Sequence, residues 1–183
     1  MRCVGTSPGR FVVRPRLVRD DRDMTRGGSS IPEVQRLLRV LATGRTCAEA
    51  GTAFGEGTRA MAETADRVVS VEIDRDRARA AAENLKDLKN VELLEGDWRE
   101  ELPSRGPFGL IFLDAGGFKE SPEDVGAIVL SLLEKGGLVV ADDMVPGLAA
   151  HDRARSFVLS NPILVGVEVL TTPESSALIA ARR

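Results

Sequence analysis

The sequence predicts an α/β protein built on a doubly wound, mostly parallel sheet with helices on both faces. Three observations predict it. Short apolar segments alternate with helix-period segments along almost the whole chain. Those apolar segments are bounded by glycine, asparagine and aspartate. The last two apolar segments have no helix between them, so they are expected to pair antiparallel.

Taken in order, Ser30-Ile31-Pro32-Glu33 has the form of a capping box with proline in the first turn. Ile31, Val34, Leu37, Leu38 and Leu41 follow as one helical face. Thr46–Ala50 reads as the first strand, and the turn Gly51–Gly57 leads into a helix expected to reach Ala65. Val68–Ile73 reads as the second strand, and Asp74 caps a helix with the stripe Ala78, Ala81, Ala82, Leu85 and Leu88. Val91–Leu94 and Phe108–Leu113 are the third and fourth strands, the latter apolar throughout and so buried on both faces. Ser121-Pro122-Glu123-Asp124 opens a helix that Gly136-Gly137 is expected to stop. Leu138–Ala141 is the fifth strand, Ala149–Leu159 a helix, and Ile163–Leu170 and Ser176–Ala181 the last two strands.

The chain has 183 residues, which fits one domain able to bury a core without metal or disulfides. Apolar residues make up 43% and charged residues 29%, the balance of a globular chain rather than a disordered one. No apolar run is long enough to span a membrane. A formal net charge of −3 does not indicate a broad basic surface for nucleic acid. Cys3 and Cys47 are isolated, which speaks against zinc and against a disulfide framework and for a reducing, cytoplasmic setting. Residues 1–23 carry six arginines, partly offset by Asp20, Asp21 and Asp23, and read as an arm or extension; residues 24–183 read as the single domain.

Ligands of such sheets bind at the carboxyl ends of the strands. Acids recur there: Glu49, Glu72 with Asp74, Asp97, Asp114, and Asp142 with Asp143. Carboxylates gathered on one edge repel each other and call for cations or hydroxyl donors. The loop Gly51-Thr52-Ala53-Phe54-Gly55-Glu56-Gly57 has the spacing G-x-x-x-G-x-G, not the G-x-G-x-x-G of nicotinamide dehydrogenases. Glu72 falls about twenty residues beyond it, where an acid holds ribose hydroxyls. Asp97 can accept from an adenine amino group while Ile73 or Trp98 packs on the ring. The plainer roles, a cap for Asp74 and core packing for Trp98, stand beside these.

Together the segments AEAGTAFGEGT, VVSVEID, LLEGD, GLIFLDAG and LLEKGGLVVADDMVPG resemble the cation-dependent O-methyltransferases of the catechol and caffeoyl-coenzyme A type, from about Ser29 to the C-terminus. The resemblance implies a Rossmann-like, seven-stranded sheet with the last strand antiparallel and S-adenosylmethionine as methyl donor. It implies a cofactor site of Glu49, Gly51, Gly55, Thr58, Glu72, Ile73, Asp97, Trp98 and Asp114. It places a divalent cation, Mg2+ or else Ca2+ or Mn2+, on Asp114, Asp142 and Asp143. It also implies a small hydroxylated acceptor and a homodimer. Two positions depart from the family: Asp143 replaces its usual asparagine, and Gly117 stands where it commonly has a lysine base. Candidates for the missing proton-handling group are Asp114, Lys119 and His151, the sole histidine. An RNA or protein acceptor, and a binding module without catalysis, are the alternatives this pattern leaves open.

Overall fold

The computed structural model describes residues 30–183. The expected arm at residues 1–23 lies outside the described residues. Seven strands form one sheet: β1 Thr46–Ala50, β2 Arg67–Glu72, β3 Val91–Glu95, β4 Phe108–Leu113, β5 Leu133–Met144, β6 Leu164–Leu170 and β7 Ser176–Arg182. Their order is β3-β2-β1-β4-β5-β7-β6. β1 to β5 run parallel, and β7 pairs antiparallel with both β5 and β6. The fold class expected from the sequence is therefore the one found.

Strand alternation divides the core in two. Ala48, Val69, Ile111, Val139 and Leu178 face the helices α5 (Pro122–Leu132) and α6 (Asp152–Ser160). Cys47, Val68, Leu110, Phe112 and Val140 face α1 (Pro32–Ala42) and α2 (Glu56–Ala62). This is the period of two expected when a sheet is buried on both sides. Burial also pushes the Cys47 thiol up to about 12, so it is packed as a small apolar group. α3 (Arg75–Leu85) turns Ala78, Ala81 and Leu85 inward, and its N-terminus is capped by the Asp74 carboxylate, which accepts from the amides of Asp76 and Arg77.

Four local expectations need correction. α1 begins after Ile31 and no side chain caps it; the Ser30 hydroxyl is buried and unpaired, while its carbonyl accepts from Gln35 Nε2. The second helix ends at Ala62, not Ala65. α5 ends at Leu132, and β5 starts at once, so Gly136-Gly137 lies within a strand irregularity rather than at a helix stop. A one-turn helix α4, Trp98–Glu101, was not expected, and the helix expected from Ala149 is a 3-10 turn, Ala149–His151, followed by α6.

Candidate active site

The sheet reverses its winding between β1 and β4, and a cleft opens beyond the carboxyl ends of the strands there. Behind it lies a buried polar knot. Glu49 Oε2 accepts from Ser70 Oγ at 2.5 Å and from the Thr58 hydroxyl, and Thr52 and Ser70 share a further hydrogen bond. Burial pushes the Glu49 carboxyl up to about 7, although the two hydroxyls pull it down. Gly57 makes this possible: a Cβ there would stand 2.4 Å from Glu49 Oε1. Glu49, Gly55 and Thr58 do not reach the cleft wall.

The cleft itself encloses about 330 Å³, within the range of small-molecule sites. Its wall carries Gly51, Glu72, Ile73, Asp97, Trp98 and Asp114 from the expected set. Glu72 is buried at the end of β2, and each carboxylate oxygen accepts a backbone amide, Ala53 N–H at 2.7 Å and Asp74 N–H at 2.9 Å. Those bonds fix its orientation and leave further lone pairs for hydroxyl donors. Ile73 is 73% exposed at the rim, and Trp98 is buried on the wall with its indole N–H unpaired. Asp97 caps α4 through the Arg99 amide and pairs with the Arg99 guanidinium at 3.3 Å, so part of its acceptor capacity is spent on the loop.

Two charged wall residues were missed from the sequence. Arg77 and Arg99 both line the cleft, and Arg99 lies 5.0 Å from the Trp98 ring centre. Arg99 also explains Gly117: at φ 104, a Cβ on residue 117 would stand 2.8 Å from the guanidinium. Helical periodicity carries no signal for a cation on a single-turn helix.

A second, smaller cavity of about 180 Å³ adjoins at Asp114, Ala115 and Gly116 and is walled by Lys119, Asp142 and Asp143. Burial pushes Asp114 up to about 8, and Glu49, Asp142 and Asp143 add to that while Lys119 opposes it. Burial likewise raises Asp142 to about 6. Lys119 Nζ lies 3.7 Å from Asp143 Oδ2.

The three acids do not form the expected cation site. Asp142 is buried, whereas Asp143, at φ 57, carries a side chain 72% exposed. Among the described residues no group of three or more His, Cys, Asp or Glu is disposed to hold a metal ion. His151 is on neither wall; its Nδ1 accepts the Val145 amide at 3.1 Å and pins the loop after β5.

A doubly wound sheet of this order, with its cleft at the reversal, defines the class I methyltransferase architecture. The family model described as a methyltransferase domain matches residues 48–144, and the chain belongs to that family. It is thus an S-adenosylmethionine-dependent methyltransferase enzyme. Solved structures similar to it include the following three. Cofactor-bound Rv0187 from MTB is 26% identical, with a TM-score of 0.74, covering 85% of this chain and 82% of that one. The O-methyltransferase TomG from Streptomyces achromogenes, in complex with SAM, is 21% identical with a TM-score of 0.70, over 88% and 85% of the two chains. An O-methyltransferase from Bacillus cereus, in complex with SAH, is 19% identical with a TM-score of 0.70, over 89% and 86%. Nothing among curated proteins matches the chain. Among the described residues, no helix is long and apolar enough to cross a membrane.

Proposed function

We propose that the enzyme methylates a hydroxyl oxygen of a small molecule, with S-adenosylmethionine in the larger cavity and the acceptor in the smaller. One observation carries this: the two cavities meet at Asp114. The similar TomG and Bacillus cereus proteins are O-methyltransferases with SAM or SAH bound, which supports the same donor and the same kind of acceptor atom here. The chain's residues fit the donor. Glu72, oriented by two amides, accepts from ribose hydroxyls, while Ile73 and Trp98 offer apolar surface to the adenine ring.

When bound, the donor supplies a sulfonium methyl group that passes in line to the acceptor oxygen, and sulfur keeps the electron pair of the broken bond. Asp114 stands at the junction, where its carboxylate takes the hydroxyl proton as the new oxygen–carbon bond forms. The small second cavity favours a compact acceptor over an RNA or protein chain. Among the described residues no group of three acids is disposed to hold a divalent cation beside the acceptor.

The test is a methyl-transfer screen with S-adenosylmethionine over small phenols and vicinal diols, with folded RNA and protein acceptors alongside. Turnover of small hydroxyl compounds, abolished by Asp114→Asn, is the expected outcome. Turnover of RNA or protein alone would replace the acceptor, and binding of the donor without turnover would leave a binding module.

A further inference from the structure

The acidic cluster at the ends of β4 and β5 contains a cation of its own. Lys119 sits on the loop after β4, shares a cavity wall with Asp114, Asp142 and Asp143, and is only 29% exposed. Its ammonium is 3.7 Å from Asp143 Oδ2. Position 117 on the same loop has φ 104, a backbone conformation that side-chain-bearing residues rarely adopt. The loop therefore delivers its positive charge from residue 119.

We propose that the Lys119 ammonium occupies the cation position of this cluster, offsetting Asp142 and Asp143 and holding the acceptor oxygen, so that methyl transfer proceeds without a divalent ion. Donor geometry decides between the two kinds of cation. A small divalent ion demands several oxygens converging at near-fixed angles. Asp142 and Asp143 are adjacent, one buried and the other largely exposed on a left-handed backbone, and among the described residues no three acids are disposed to hold a metal ion while Lys119 Nζ stands beside Asp143. An ammonium has three rotatable donors on a flexible stem and can serve acceptors that diverge. An ammonium already seated beside Asp143 repels a second cation entering the same cavity.

The role of the lysine toward the acceptor rests on the methyltransferase reading; its occupation of the cation position does not. The experiment separates them. Mn2+ is titrated into the full-length wild type, Lys119→Met and Lys119→Gln, with bound ion read by loss of the free Mn2+ electron paramagnetic resonance signal. Melting temperature is followed with and without Mn2+, and S-adenosylhomocysteine binding is followed through the fluorescence of Trp98, the single tryptophan. The expected result is no saturable Mn2+ binding by the wild type at millimolar concentrations. With the ammonium gone, the Asp142 and Asp143 carboxylates are free to re-aim, so at least one folded variant should bind about tenfold or more tightly and gain melting temperature with Mn2+. Wild type binding as tightly as the variants would overturn the proposal. So would folded variants that bind no better than wild type. Loss of S-adenosylhomocysteine binding in all three proteins, with the Mn2+ pattern intact, would sink the methyltransferase reading and leave the lysine in place.

Discussion

At the β1–β2 end of the sheet, Glu72 gives one oxygen to each of two backbone amides, and Glu49 is bound by two hydroxyls. At the β4–β5 end, Asp114 and Asp142 are both buried, both raised by that burial, and have Lys119 as a nearby positive charge. The first pair is oriented by groups that cannot leave. The second is set among side chains that can shift and exchange protons. A rigid acceptor frame suits a ligand held unchanged through turnover, whereas raised carboxyls suit proton transfer. The contrast predicts that damage at one end reads out as binding and damage at the other as rate.

The sharpest way to break it is Asp114→Asn. Methyl transfer should fall by about 100-fold or more, the range for removing a proton-handling side chain. S-adenosylhomocysteine affinity should move by less than about tenfold, which isothermal titration measures directly. Equal losses in both would erase the division between the two ends.

Glu49 tests the binding end through stability. Its folded carboxyl is raised from 4.5 to about 7, so between those values the folded state keeps a proton that the unfolded chain releases. The contribution is therefore fully present below about 4.5 and is lost as pH rises through about 7. The shift from 4.5 to about 7 corresponds to about 3 kcal/mol across that window. Denaturant midpoints for wild type and Glu49→Gln should differ in slope over that window, with the variant flatter. Parallel slopes would mean the carboxyl is not in the buried knot.

Glu72→Ala should weaken S-adenosylhomocysteine by about 1–3 kcal/mol, because ligand hydroxyls lose an acceptor and the amides of Ala53 and Asp74 lose theirs. Unchanged affinity, read calorimetrically, would take the ribose role away from this residue.

Much of this was legible in the residues, and the gaps have physical causes. Phe108–Leu113, apolar at every position, is a strand with every residue buried. Glu72 and Asp114 were legible because strand ends in a parallel sheet face the ligand. β5 was misjudged by five residues because a glycine pair marks a helix stop or a strand irregularity equally well, and pairing of Phe108 with Leu133 selects the second. The buried knot of Glu49 and Thr58 was not legible, because their partner Ser70 is distant in sequence and lies in an ordinary strand. The exposure of Asp143 was not legible, because an αL backbone at an aspartate leaves no trace in the residue pattern.

Trp98→Phe should have the smallest effect and the most specific meaning. The indole is buried on the cleft wall, yet its N–H has no partner. Shortening it to phenylalanine removes packing surface, worth about 1–2 kcal/mol, and also removes an unpaired buried donor, a gain of comparable size. The two nearly cancel, so the unfolding midpoint should stay within about 1 kcal/mol of wild type. Ligand affinity then isolates the ring from the N–H. If adenine merely lies against an aromatic face, phenylalanine serves and calorimetric affinity changes by less than about threefold. If the orphan N–H is waiting for a ligand acceptor, affinity falls by about tenfold with stability unchanged. The second outcome would bring Trp98 into the same category as Glu72, a polar group fixed in place for a partner that arrives from outside the chain.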